Sequence, residues 1–411
     1  MSRPRHSDAV LNAFPVKNGE LLIGGIPLTQ LAKRIGQTPF YAYDRQKISE
    51  RVAHLRKYLP SEIHLHYAIK ANPMPAVVQH LAGLVDGFDL ASGGEMHIAL
   101  DTGMPAENIS FAGPGKSANE IDSAIAAGIT LNLESKTELE TAARLGEEQG
   151  IKPKVAVRVN PDFELKSSGM KMGGGPKQFG IDAEHVPAVL KRIGKLDLEF
   201  QGFHIFSGSQ NLRPEAIIEA QKKTCELACR LADDAPSPVH KLNIGGGFGI
   251  PYFPGEQALA IEPITDHLEE VLKNTKAYLP EAKLIIELGR YLIGEAGIYV
   301  SKIIDRKISR EHTFLITNGG MHHHLAASGN FGQIIRKNYP VLIGNKMDLS
   351  ETETASIVGP LCTPLDILAD KVEIPKADIG DLVVILQSGA YGLTASPTRF
   401  LSHPSPLEVI V

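Results

Sequence analysis

The chain has 411 residues, 43% hydrophobic and 22% charged, with a formal net charge of −5, a composition that fits a globular protein with a sizeable core. Its charges of both signs are interspersed, leaving no nucleic-acid footprint, and no apolar run approaches the roughly 18 residues that a membrane span needs. Three cysteines, and an opening "MSRPRHSDAV" without the apolar core of a signal peptide, point to a reducing cytoplasm rather than a disulfide-built secreted domain.

Along the chain, "GELLIGGIPLT" reads as strand and turn. Between residues 40 and 290, short β-rich runs then alternate with segments of helical period. The runs are "EIHLHYAI", "VDGFDLAS", "NISFAGP", "ITLNLES", "KVAVRVNP", "LEFQGFHIFSG", "KLNIGGGF" and "KLIIELGR". Amphipathic stretches such as "DRQKISERVAHLRKYL" and "KTELETAARLGEEQG" separate them. Eight βα repeats in about 250 residues predict a (β/α)8 TIM barrel, an α/β domain over residues 37–290. After residue 290, "GEAGIYVSKIIDRKIS", "HTFLITNGG", "VEIPKADIGDLVVILQ" and "SGAYGLTAS" read as strands and turns. They predict a second, β-rich domain over 291–411, a β-barrel or sandwich completed by residues 1–36. The intervening "MHHHLAASGNFGQIIRKNYP" is ambiguous.

Side-chain parity supports the barrel. Val155, Val157 and Val159 share one face of their run, while Ala156, Arg158 and Asn160 take the other. Ile129, Leu131 and Leu133 oppose Thr130, Asn132 and Glu134, and Leu284, Ile286 and Leu288 oppose Ile285, Glu287 and Gly289. One face is apolar enough to pack on helices; the other collects polar groups toward the carboxyl end of each strand, where barrel active sites lie.

Lys70 shares a face with His64, His66 and Ala68, opposite Ile63, Leu65, Tyr67 and Ile69, so it points into the barrel mouth, with Asn72-Pro73 ending the strand. A partly desolvated amine there is a competent nucleophile toward a carbonyl. The plainer reading is a lysine that neutralises an inward carboxylate. "NIGGGFG" at 243–249 closes the seventh run, where barrels cradle phosphate on backbone N–H groups, although tight turns also use glycine. Glu287 lies at the inward end of the eighth run, followed by Arg290 as a possible phosphate contact. Such a carboxylate beside an aromatic ring nitrogen keeps that nitrogen protonated. A phosphate cradle, a Schiff-base lysine and a ring-protonating carboxylate together describe a pyridoxal phosphate site.

Cys225 and Cys229, one helical turn apart, read as buried packing residues. By its neighbours alone, Cys362 reads as an inert thiol. His322, His323 and His324 are consecutive and cannot converge on one ion in a strand or helix, so no metal site is expected and they read as loop or pocket-wall histidines.

"YAIKAN", "FDLASGGE", "GPGKS", "RVNPD", "FGID", "GFHIFSGSQ", "NIGGGFG", "ELGR", "GPLCTPLD" and "SGAYG" occur in the order found in fold-type III pyridoxal phosphate decarboxylases. The chain resembles that family, which includes diaminopimelate, ornithine and arginine decarboxylases, from about residue 20 to 400. The resemblance implies an alanine racemase-like (β/α)8 barrel plus a β-domain. It implies Lys70 as the Schiff-base lysine, Glu287 as partner of the pyridine nitrogen, and Asp89 as support for the cofactor region. Gly245, Gly246, Gly247, Gly289, Ser209, Arg290 and Tyr391 match the phosphate pocket and its surroundings, and Asp366, Arg290 and Tyr391 are the residues expected near substrate. Cys362 matches a cysteine that enters the active site from a second subunit and manages protonation of the carbanion, which implies a homodimer with shared sites.

Three departures from the family pattern bear on specificity. The usual His-Ile-Gly-Ser run, whose histidine stacks on the cofactor ring, is here Phe206-Ser207-Gly208-Ser209, with His204 two residues earlier. Both 204 and 206 face inward by parity, so either ring can stack, and His204 is favoured as a polar contact. The Arg-Pro-x-Leu-Tyr run that holds the distal end of diaminopimelate is absent from "GGMHHHLAASGNFGQIIRKNYP", and Thr363 stands where an acid usually follows the cysteine. "KMGGGPKQFGID" and "MHHHLAASGNFGQIIRKNYP" resemble a subgroup associated with exosortase systems. That subgroup is related to the decarboxylase of carrier-protein-bound glutamyl groups in butirosin biosynthesis.

The implied reaction is α-decarboxylation of an L-amino acid, free or tethered to an aminoacyl carrier protein. Lys70 engages the cofactor, Glu287 keeps its ring nitrogen protonated, and Cys362, or a group it controls, directs the proton to Cα. The alternatives are diaminopimelate decarboxylase, an amino-acid racemase of alanine racemase type, and a non-catalytic pyridoxal phosphate carrier. A racemase places arginine at the ring nitrogen, and a carrier is a barrel alone, so Glu287 and the β-domain weigh against them.

Overall fold

Eight parallel strands close on themselves in the computed structural model, which describes residues 6–163, 170–171 and 173–411. In chain order they are β1 (His64–Ala68), β2 (Gly87–Leu90), β3 (Ile109–Phe111), β4 (Thr130–Leu133), β5 (Lys154–Asn160), β6 (Glu199–His204), β7 (Lys241–Gly246) and β8 (Lys283–Leu288). Each pairs in parallel with the next, and β8 returns to β1 with Glu287 opposite His66. All eight β-rich runs of the sequence are barrel strands, and the expected closed (β/α)8 fold is what the chain forms. Helices such as Pro75–Ala82, Lys136–Gln149 and Pro214–Ala232 intervene between them.

The parity argument holds inside. Lys241 and Thr130, near the amino ends of β7 and β4, bond across the barrel floor, Nζ to Oγ1, at 3.1 Å. Above them a polar chain crosses the interior: Asn132 Nδ2 donates to Ser110 Oγ at 3.0 Å, Ser110 Oγ donates to Asp89 Oδ1, and Asn243 Nδ2 reaches that same oxygen at 3.4 Å. Buried polar groups of this kind persist only when satisfied, and each here finds a partner on a neighbouring or facing strand. At β6, where the register with β5 shifts, Gly202 adopts φ +140°, and a Cβ there would strike the carbonyl oxygen of Lys241, so only glycine lets β6 and β7 approach this closely.

The chain separates into two compact units, residues 51–250 with 258–292, and residues 1–50 with 251–257 and 293–411. The second holds a mixed sheet. Gly297–Ser309 is its longest strand and pairs with Phe40–Tyr43, Leu382–Ile385 and His312–Thr317. Thr352–Val358 and Ile367–Pro375 extend the sheet beyond His312–Thr317. The carboxyl-terminal strand Leu407–Ile410 runs parallel to Phe40–Tyr43. Phe14, Leu21, Leu28, Phe40, Val300 and Val384 are among the residues of one core cluster there. The ambiguous "MHHHLAASGNFGQIIRKNYP" contains no strand or helix. Within "KMGGGPKQFGID", Met172 lies outside the described residues, as do the first five of "MSRPRHSDAV". Among the described residues no helix is long and apolar enough to cross a membrane.

The three consecutive histidines are buried in this second unit. His324 Nδ1 accepts from Ala327 N at 3.2 Å, so its hydrogen sits on Nε2, which faces Ser388 Oγ at 2.9 Å. His323 faces Tyr299 Oη through Nδ1 at 3.3 Å and the Pro404 carbonyl through Nε2 at 2.9 Å. His322 is 0% exposed and, among the described residues, neither of its ring nitrogens has a hydrogen-bond partner. Burial is the main reason all three are held neutral, with His322 and His324 pushed down to about 3 and His323 to about 4. The unfolded chain protonates its histidines near pH 6.5, above these folded values, so stability is full above that pH and falls as acid is added. The loss is up to about 1.4 kcal/mol per pH unit for each such histidine between about pH 6.5 and 4. Urea unfolding at pH 7 and pH 5 measures this. His322→Leu, with no hydrogen bond to lose, is expected to narrow the difference between the two; an unchanged difference would show that His322 is not held neutral.

Candidate active site

β1 stops at Ala68, and Lys70 follows on a single 3-10 turn, Ile69–Ala71, rather than on the strand itself. The turn is pinned by Tyr67 Oη donating to the Asn72 carbonyl at 2.9 Å and by Asn72 Oδ1 accepting from Met74 N at 3.0 Å. Gly289 lets β8 pass close by, since a Cβ there would lie 2.8 Å from that of Ala71. Ile69 and Ala71 go into the core, which turns the Lys70 side chain toward the mouth as parity required. Its Nζ lies 3.6 Å from Glu287 Oε1 and 5.6 Å from the centre of the Phe206 ring.

Glu287, at the end of β8, is 5% exposed. Its second oxygen meets His204 Nε2 at 3.1 Å, and His204, the last residue of β6, is 3% exposed with Nδ1 lacking a partner among the described residues. His204 is thus committed to the carboxylate, while the Phe206 ring lies against the Lys70 amine. The two candidates left open by parity are separated: of the pair, Phe206 is the ring turned toward Lys70.

The glycine loop is shaped by close approach. Gly245 and Gly247 have φ of +69° and +76°. A Cβ on Gly245 would lie 2.7 Å from Phe206 Cδ2, and those on Gly246 and Gly247 would strike the carbonyls of Glu287 and Gly208. The facing loop is zipped to it: Asn211 N donates to the Gly247 carbonyl at 2.9 Å, and Gln210 bonds the Ile250 backbone through both ends of its amide. Ser209, half-buried, lies on this facing loop, and half-buried Arg290 starts the short helix after β8. Asp89 sits below, bonded to His66 Nδ1 at 3.2 Å and, through Asn243, linked to the Gly245 N–H at 2.8 Å. Its carboxylate therefore braces the cradle from beneath.

Two groups were given no role by the sequence reading. Glu95, third residue of the helix that begins after Ser92, accepts from Ala91 N at 2.8 Å. Burial and the charge of Glu287 raise its carboxyl, against the Ala91 bond and the Lys70 charge, so it stands within the same field. The only sequence signal was the glutamate of "FDLASGGE", which reads equally well as a capping residue. Arg158 is the other. It donates to Glu134 Oε1 at 2.6 Å, lies 4.9 Å from the Phe179 ring centre, and adds its charge to the field on Glu287.

Cys362, Asp366 and Tyr391 belong to the β-rich unit. Cys362 is exposed on a turn, and Tyr391 is half-buried with φ +53°. Asp366 is placed differently from the expectation of a substrate contact. It is 3% exposed, with Oδ1 accepting from Met321 N at 2.6 Å and Oδ2 from Leu361 N at 2.9 Å. Both oxygens hold backbone, including that of the turn bearing Cys362.

Burial alone would raise the Glu287 carboxyl. The Lys70 ammonium, the His204 bond and charge, and Arg158 outweigh it and hold it well below the usual carboxylate range. Its contribution to stability is therefore present above that range and lost only as pH falls through the depressed folded value. Lys70→Met keeps the burial and removes the ammonium, so the Glu287 carboxyl is expected to rise. A 13C titration of labelled glutamate carboxyls in the cofactor-free protein reads this directly, and an unmoved titration would show that His204 and Arg158 suffice.

A phosphorylated aldehyde with a ring nitrogen asks for an amine, an ionised carboxylate, a backbone cradle and a flat apolar face. Lys70, Glu287, Gly245–Gly247 and Phe206 supply them within the barrel unit, and the residues fit pyridoxal phosphate. Residues 45–294 match the family of the pyridoxal-dependent decarboxylase, pyridoxal binding domain. The chain is 40% identical to an L-glutamyl-[BtrI acyl-carrier protein] decarboxylase of Niallia circulans, over 93% of this chain and 90% of that relative. It is 34% identical to a diaminopimelate decarboxylase of Aquifex aeolicus, over 96% of this chain and 91% of the relative. The crystal structure of diaminopimelate decarboxylase from M. jannaschii in complex with L-lysine superposes with a TM-score of 0.88 at 26% identity, covering 98% of this chain and 93% of that one. The chain belongs to the pyridoxal-dependent decarboxylase family and is a pyridoxal phosphate-dependent carboxy-lyase of alanine racemase-like fold.

Proposed function

We propose that the enzyme removes the α-carboxylate of an amino acid tethered to a carrier protein, a glutamyl group foremost, and that it works in the cytoplasm as a homodimer with shared active sites. The observation that carries the substrate is the 40% identity, nearly end to end, with a decarboxylase of a carrier-bound glutamyl group. The segment Leu325-Ala326-Ala327-Ser328 supports it. Family members that take diaminopimelate place Arg-Pro in this region, and here Ala326 and Ala327 are buried. The three unpaired thiols support the compartment.

Bound pyridoxal phosphate supplies an aldehyde that captures amines and a ring that accepts the electron pair left at Cα when carbon dioxide departs. The rest is work for the chain. Lys70 would hold the aldehyde carbon through its side-chain amine. Glu287, kept ionised by its neighbours, holds a proton on the ring nitrogen. His204 fixes the orientation of that carboxylate, and Phe206 covers one ring face without adding a titrating group. Gly245, Gly246 and Gly247, with Ser209, Arg290 and Tyr391, hold the phosphate. Cys362 moves a proton to Cα, and Asp366 positions its turn rather than touching substrate.

A racemase would place arginine where Glu287 stands, and the buried carboxylate opposes that. The test is a panel of L-amino acids, free and as carrier-bound thioesters, assayed for released CO2. We expect CO2 from glutamyl-loaded acyl carrier protein and little or none from meso-diaminopimelate. Efficient, stereospecific release from free meso-diaminopimelate would instead establish the lysine-biosynthetic alternative, and loss of optical rotation without CO2 would establish the racemase.

A further inference from the structure

Tyr391, read above as a phosphate contact, has a left-handed backbone with φ +53°, and so does Gln387 four residues earlier, with φ +58°. A residue that carries a Cβ rests in that region only where its surroundings hold it there. The bonds that hold this turn fall on both sides of Tyr391. Before it, His324 Nε2 donates to Ser388 Oγ at 2.9 Å, and that hydroxyl donates on to the Ile385 carbonyl at 2.9 Å. After it, Ser396 Oγ accepts from Leu325 N at 2.9 Å and donates to the Gly392 carbonyl at 2.6 Å. Tyr41 joins the same two stretches. Its Oη donates to the His323 carbonyl at 2.7 Å, and a Cβ on Gly392 would lie 2.7 Å from its Cε1. His323, His324 and Leu325 thus grip the turn from Ser388 to Gly392.

The grip is most specific at His324. Its imidazole is 0% exposed, and the rings of Tyr41, Tyr299 and Tyr339 lie 5.8, 5.7 and 5.5 Å from it, centre to centre. An apolar ring would fill the same space, so what the imidazole adds is the pair of hydrogen bonds that join Ala327 N to Ser388 Oγ. The turn beyond Ser388 is tied to two further stretches. Gln387 Nε2 donates to the Pro251 carbonyl at 2.9 Å, and Gly389 N donates to the Gly294 carbonyl at 2.9 Å. Pro251 follows the glycine loop, residues 243–249, by two positions, and Gly294 follows Arg290 by four. The turn that carries Tyr391 is therefore joined to the chain just past both the glycine loop and Arg290.

We propose that His324 is a positioning residue for the cofactor: through Ser388 it fixes the turn that sets Tyr391 on the phosphate. The proposal rests on the reading of Tyr391 as a phosphate contact, and Tyr391→Phe tests that reading by itself.

The full chain, stripped of cofactor, is titrated with pyridoxal phosphate and separately with pyridoxal, which keeps the aldehyde and ring and lacks the phosphate. For His324→Phe and for Ser388→Ala, Kd for pyridoxal phosphate is expected to rise about tenfold, roughly what one lost hydrogen bond to a charged group costs, with Kd for pyridoxal unchanged. In both variants the 31P resonance of the bound phosphate is expected to shift toward that of the free ester. His324→Gln, which keeps an N–H near the same place, is expected to retain most of the affinity, and the double variant to bind no more weakly than either single one. Equal weakening of both aldehydes would mark His324 as a packing residue and overturn the proposal. So would wild-type affinity in Ser388→Ala, which removes a single oxygen and leaves the aromatic packing in place. Wild-type affinity for pyridoxal phosphate in Tyr391→Phe would instead remove the phosphate reading of Tyr391, and the role of His324 would fall with it.

Discussion

One constraint organises the barrel's upper end: a carboxylate must stay ionised with almost no water around it. Glu287 is 5% exposed, and removing such a group from water costs several kcal/mol even after relaxation. Lys70 at 3.6 Å returns at most about 4.6 kcal/mol at an effective dielectric near 20, and less here because its own side chain is 42% exposed. The ammonium cannot hold the carboxylate alone. His204 on the second oxygen and Arg158 further off are what make the ion tenable, so β5, β6 and β8 are tied together by one charge.

The same reasoning separates His204 from Phe206. A period of two puts both inside, and a polar side chain is the natural first choice beside a cofactor. The strand, however, ends at His204, at a depth where its imidazole reaches Glu287. Phe206 lies past that end, on the loop against Gly245. With its histidine committed to the carboxylate, the site presents an apolar ring to Lys70.

The barrel was legible because parallel strands buried on both faces read as short apolar runs, and because polar residues at 130, 132, 158 and 160 alternate with them. Legibility failed where information is long-range. The strands Phe40–Tyr43 and Leu407–Ile410 are four residues each, too short for a periodic pattern, and they pair with each other across most of the chain. The chain Asn132–Ser110–Asp89–Asn243 spans four strands, and its longest link joins residues 154 positions apart. Asp89 could be named from a motif; that it braces the Gly245 N–H through Asn243 could not. Lys70 was placed facing the mouth although it lies on a turn rather than a strand, because Ile69 and Ala71, its apolar neighbours, take the core in either geometry.

Asp366 shows how a motif residue can serve the backbone around it. This carboxylate accepts two backbone N–H groups, at 2.6 and 2.9 Å, in a site only 3% exposed. Glycines 320 and 359 crowd it, and a Cβ on either would collide with its oxygens, so the pocket around it is built for a carboxylate and for nothing bulkier nearby. What it secures is the relative placement of Met321, which opens the histidine segment, and Leu361, which precedes Cys362. Two of the three departures from the family pattern fall on those stretches, one lacking Arg-Pro and the other carrying Thr363 after the cysteine. One buried carboxylate thus fixes the start of the histidine segment against the turn that carries Cys362.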